Sequence, residues 1–155
     1  MHRIGVVVVV AAMAAALVGC GGSGSPKVTY ERMWKAAEAG DRDAVLACFT
    51  SDSRAKILEL EKMAAELAPD KAGDAKPVDK LMAQARNSIC EIGEQKIRGD
   101  HATLLVTIDG KPKPTQFLKQ GGGWKIDIRA DLDKVSRLLE GLKKLKEAAE
   151  RFKKR

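Results

Sequence analysis

The chain has 155 residues, of which 45% are hydrophobic but only 4% aromatic, and a formal net charge of +7. That length sets one domain, and Leu, Val, Ile, Met and Ala must fill most of its core. The basic excess favours anionic partners. Two histidines and three cysteines without ligand spacing exclude a zinc-type site, so no metal and no cofactor are expected.

Residues 1–19 read as an export signal. His2 and Arg3 form a basic start, and an uncharged run follows from Ile4 to Val18, including the valines 6–10. At 15 residues the run is short for a membrane span, which needs about 20, and it suits a signal-peptide hydrophobic region. Gly21 to Ser25 then form a flexible Gly/Ser tether within residues 20–25.

From Ser25 on, helices come first. Ser25-Pro26 has the form of an N-cap followed by proline at the first helical position. Tyr30, Met33, Trp34 and Ala37 recur at helical spacing, and Gly40 is the stop. Asp41 caps a short helix bearing Ala44, Val45, Ala47, Cys48 and Phe49. Ile57, Leu60, Ala64 and Leu67 form a third stripe after Thr50-Ser51-Asp52. A polar loop is expected over 69–77, then a helix with Val78, Leu81, Met82, Ala85 and Ile89 on one side.

The period then changes to two. A strand is expected over about 91–98, then a turn at Gly99-Asp100. Ala102, Leu104, Val106 and Ile108 alternate with the mostly polar Thr103, Leu105, Thr107 and Asp109 up to Asp109-Gly110. Thr115 to Gln120 is the third strand, Gly121-Gly122-Gly123 a hairpin turn, and Trp124, Ile126 and Ile128 the inward side of the fourth strand. Asp131 is the expected N-cap of a final helix whose Val135, Leu138, Leu142, Leu145, Ala149 and Phe152 form a heptad-like seam. The predicted fold class is α+β: N-terminal helices packed on a curved antiparallel sheet of about four strands, with a long C-terminal amphipathic helix over 131–155.

Two resemblances follow from these motifs. Leu17-Val18-Gly19-Cys20 resembles the lipobox of bacterial lipoproteins, which implies acylation of the Cys20 sulfur and cleavage before it. Two or more acyl chains imply a stable membrane anchor. The implied address is the cell envelope and, since residue 21 is Gly rather than Asp, the periplasmic side of the outer membrane in a Gram-negative host. Residues 26–130 resemble the NTF2-like (cystatin-like, cone-shaped) superfamily. The resemblance lies in the joint Ala36-Ala37-Glu38-Ala39-Gly40-Asp41-Arg42-Asp43-Ala44, the strand Ala102-Thr103-Leu104-Leu105-Val106-Thr107, and the hairpin from Phe117-Leu118 to Gly123-Trp124-Lys125-Ile126. It implies a sheet wrapped around the first helices and a cone-shaped cavity, and it speaks to fold before function.

The expected role is a non-enzymatic lipoprotein that binds a partner protein or small ligand. Trp34, Phe49, Val106, Phe117 and Trp124 are the expected cavity lining. One alternative is an enzyme acting on a small apolar substrate, for which no convergent catalytic set is visible. His101 is a lone solvated histidine and Tyr30 a core residue. Cys48 and Cys90 are either a disulfide or two buried small hydrophobes. The other alternative is an assembly module. After Gly141, Lys143, Lys144, Lys146, Arg151, Lys153, Lys154 and Arg155 outnumber Glu147 and Glu150, so the final helix either packs its stripe on the domain, pairs with another helix, or lies on anionic membrane. No nucleic acid is expected for an exported chain.

Overall fold

The computed structural model describes residues 24–67 and 76–153. The signal segment, Cys20, most of the tether, most of the 69–77 loop, and Lys154 and Arg155 lie outside the described residues. The element order is α1 (Pro26–Ala39), α2 (Arg42–Ala47), α3 (Ser51–Leu67), α4 (Pro77–Asn87), β1 (Cys90–Arg98), β2 (His101–Ile108), β3 (Lys111–Gln120), β4 (Gly123–Asp127) and α5 (Arg129–Lys153). The protein is α+β: helices, then a four-stranded open antiparallel meander in the order β1-β2-β3-β4, then a helix. None of the described helices is long and apolar enough to cross a membrane.

Local chemistry sets the helix ends. The Val28 amide donates to Ser25 Oγ at 3.3 Å, and the Ala44 amide to Asp41 Oδ1 at 3.0 Å, so two otherwise orphan N–H groups are satisfied at the starts of α1 and α2. Gly40 has φ 76°, which lets its N–H reach the Ala37 carbonyl and that of Asp41 reach Ala36. Thr50 caps α3, its hydroxyl oxygen accepting from the Ser53 amide at 3.2 Å.

The sheet buries one face. Ala102, Leu104 and Val106 of β2, Phe117 of β3 and Ile126 of β4 share the side that meets Tyr30, Met33, Trp34 and Ala37 of α1. A bulge between Ile92 and Gln95 interrupts β1 and bends it. Two of the three two-residue hairpins have both central residues left-handed, Asp109-Gly110 at φ 49° and 75° and Gly121-Gly122 at 61° and 77°, whereas in Gly99-Asp100 only Gly99 is, at 60°. Beyond β4, Phe49 bridges Ile126 in parallel and covers part of that edge.

β3 starts at Lys111 rather than Thr115 and runs through Pro112 and Pro114. Proline reads as a break in an interior strand, but β4 pairs only with Gln116–Gln120. The first half of β3 is therefore an edge, where a residue with no N–H is tolerated.

The last helix begins at Arg129, and Asp131 lies inside its first turn instead of capping it. The preceding residues do the capping. The Asp131 and Leu132 amides donate to the Ile128 carbonyl, and the Arg129 amide to Asp127 Oδ1 at 3.2 Å. Only the first turns of α5 face inward, through Leu132, Ser136 and Leu139. Val135, Leu138, Leu142, Leu145, Ala149 and Phe152, the expected seam, are all exposed. Ile89, expected on the α4 face, falls beyond that helix and is exposed too.

Candidate functional site

A half-open cleft of about 300 Å³ lies between α1, the start of α4, α3 and the uncovered half of β3. Tyr30, Met33, Phe49, Ile57, Val78 and Ile126 make its apolar wall. Lys80, Gln84 and Lys113 stand on one part of the rim, and Asp127 and Asp131 on another. The register explains the gap. On the buried face of the sheet Val106 stands opposite Lys113 and Leu104 opposite Thr115, so β3 supplies no aliphatic cover where β4 is missing.

Each polar group at the cleft has a defined setting. Tyr30 is buried and stacks on Trp34, with ring centroids 6.2 Å apart and planes 18° from parallel. Burial first, and then the neighbouring Cys90, push the Tyr30 phenol well above its ordinary range, so it is a neutral hydroxyl throughout the usual pH range. The Cys90 thiol is raised chiefly by its own burial and resists ionisation. Asp127 is committed to structure. Arg129 binds it with Nε at 3.0 Å and Nη2 at 2.8 Å, and Ser53 Oγ donates to it at 3.1 Å. The Arg129 guanidinium holds this carboxyl below its usual range. A carboxylate so stabilised is a weak proton acceptor.

Ser53 is the hub of that corner. Its Oγ also accepts from the Ile128 amide at 3.1 Å and from the Thr50 hydroxyl at 2.9 Å. Arg129 Nη1 reaches Asp52 at 3.1 Å. One network thus ties the start of α3, the end of β4 and the start of α5. On the other side, Arg42 of α2 bridges Glu61 of α3 at 2.6 Å and Asp79 of α4 at 2.9 Å, which fixes the helix pair beside the cleft.

Of the five residues expected to line a cavity, only Phe49 borders this one. Val106 and Phe117 are wholly inside the core, Phe117 at 1% exposure. Trp34 is buried against Tyr30. Trp124 is half-buried with Lys119 Nζ 6.0 Å from its ring centroid. Large rigid side chains are good at filling space, so they mark where this fold is solid. The lining residues not anticipated as such (Met33, Val78, Leu81, Ile108, Lys113) belong to helix stripes and strand positions that carry no special motif.

Cys48 and Cys90 are thiols in this structure. Cys48 Sγ contacts the Ala44 carbonyl at 3.3 Å beside the outer edge of β4, whereas Cys90 begins β1 at the opposite edge of the sheet. Three or more strand spacings of about 4.8 Å separate them, well past the reach of a disulfide, whose Cα atoms lie about 4.4–6.8 Å apart. His101 is exposed at the start of β2, and no group of His, Cys, Asp and Glu able to hold a metal occurs among the described residues. Compared with known family models, curated proteins and solved structures, the chain matches none.

Proposed function

We propose that this chain is a non-enzymatic cell-envelope lipoprotein, tethered through Cys20, whose NTF2-like domain holds a small, mostly apolar ligand in the cleft of α1, α4 and β3. The observation that carries the ligand reading is the cleft itself: an apolar wall with a few polar groups at its rim, near the lower end of the roughly 300–1,000 Å³ typical of ligand pockets. Lys80 and Lys113 at the rim suit a ligand with an acidic or polar end. The helices-then-meander order and the inward helical face support the NTF2-like resemblance. The lipobox-like Leu17-Val18-Gly19-Cys20 supports the anchor.

Anilinonaphthalene sulfonate, apolar with one anionic group, is a direct probe of the cleft. It should bind the wild-type chain saturably and lose that component in Leu81→Trp, which fills the cleft, at an unchanged melting midpoint. Equal binding by both proteins sinks the ligand reading. For the anchor, labelled palmitate should enter the wild-type chain in a bacterial host and not the Cys20→Ser variant. Equal labelling of both overturns it.

A further inference from the structure

The outer half of α5 presents a ridge of apolar side chains that the domain does not cover. Leu138, Leu142, Leu145 and Phe152 follow one another along one side of the helix, with Leu145 at 69% and Phe152 at 78% exposure. Their spacings of four, three and seven residues keep them in line over more than three turns. The charges around the ridge are sorted. At 100° per residue, Arg137, Lys144 and Arg151 fall on one flank, all exposed; Lys146 falls on the other, beside Glu150, and donates to the Leu67 carbonyl of α3 at 3.2 Å, while Glu140 and Glu147 fall on the far side.

We propose that this ridge lies on an anionic lipid surface, its apolar side chains dipping below the headgroups and its flanking cations reaching up to the phosphates. Two observations favour a bilayer over a second copy of the helix. First, the positions that would meet across a helix pair (134, 139, 141, 146, 148 and 153) hold Lys, Leu, Gly, Lys, Ala and Lys. They contain no carboxylate, so a pair would have no ion pair to set its register. Second, a flank of three long exposed cations, Arg137, Lys144 and Arg151, beside an apolar stripe is what an interfacial helix requires. A convex ridge also fits a deformable plane rather than a groove. The inference is independent of the cleft and its ligand.

The test follows amide hydrogen exchange in α5 of the full-length chain, held on vesicles by its own apolar N-terminal segment. Vesicles of phosphatidylcholine alone are compared with vesicles that also contain phosphatidylglycerol. Exchange over residues 138–152 should slow by about tenfold when the anionic lipid is present. In each single variant, Lys144→Glu, Lys146→Glu or Arg151→Glu, that tenfold protection should fall about fivefold, to about twofold, about 1 kcal/mol per basic residue. These exposed substitutions leave the fold intact, and Leu142→Glu provides a second route to the same loss. Equal exchange on the two vesicle types overturns the proposal. So does protection that rises with protein density at fixed lipid composition, which would mean helix pairing.

Discussion

The two halves of α5 share one helix, yet they live in different surroundings: the first half buries a side about a third of a turn away from the repeat of Val135, Leu138, Leu142, Leu145 and Phe152, which is exposed along its whole length. Near its start, Leu132 at 6% exposure, Ser136 and Leu139 pack inward, and Arg129 joins the Asp127–Ser53 network. Past Gly141 every described side chain is exposed, and the described hydrogen bond back to the domain runs from Lys146 Nζ to the Leu67 carbonyl at 3.2 Å. A repeat specifies which residues share a side of a helix; packing decides which side turns to the domain. α3 runs alongside α5 from Asp52 beside Arg129 to Leu67 beside Lys146.

The contrast can be broken most sharply with matched leucines. Leu132→Ala should cost about 2–4 kcal/mol in urea unfolding, because it empties a closed site. Leu145→Ala should stay within about 0.5 kcal/mol. Similar costs at both positions would mean that the outer half is packed after all. Removing residues 141–155 should likewise leave the melting midpoint nearly unchanged, since the lost segment buries little against the domain.

Ser53→Ala comes next, at about 1–3 kcal/mol. It deprives the Ile128 amide of its acceptor and Asp127 of a donor at the base of α5. Arg42→Ala should cost about 1–2 kcal/mol, less than a buried pair would, because Arg42 and Asp79 are partly solvated. A cost near zero would show that the link from α2 to α3 and α4 is incidental.

The smallest effect is the pH dependence of the Asp127 corner. Its carboxyl is held below the usual range when folded, so the folded state favours the ionised form. The stability from this contact is present above the ordinary carboxylate pKa of about 4 and is lost as pH falls through the lower folded value. Asp127→Asn should flatten the acid limb of the stability curve below the ordinary carboxylate value of about 4. An unchanged acid limb would assign the loss to other carboxylates.

Much of the architecture is legible before any folding is considered. Ser25-Pro26, Gly40 and Asp41 declare the ends of the first two helices because caps are bonds between near neighbours. The alternation from Ala102 to Ile108 and the glycines at 121 and 122 declare the meander. The cleft was far less legible. Pro112 and Pro114 hide the first half of β3, whose lack of a partner shapes the opening, and Trp34 and Phe117, which stand out in the sequence, fill the core instead.

By itself, the sequence determined periodicity, turns, caps and the α+β order, since each depends on residues a few positions apart. Tertiary structure alone decided that Asp127 rather than Asp131 accepts from the first amide of α5, that Cys48 and Cys90 sit at opposite sheet edges, and that the outer leucines of α5 stay uncovered. Those outcomes depend on where one element ends beside another. Strand length, register and helix overlap are set by the packing of the whole chain, and no short window of residues contains them.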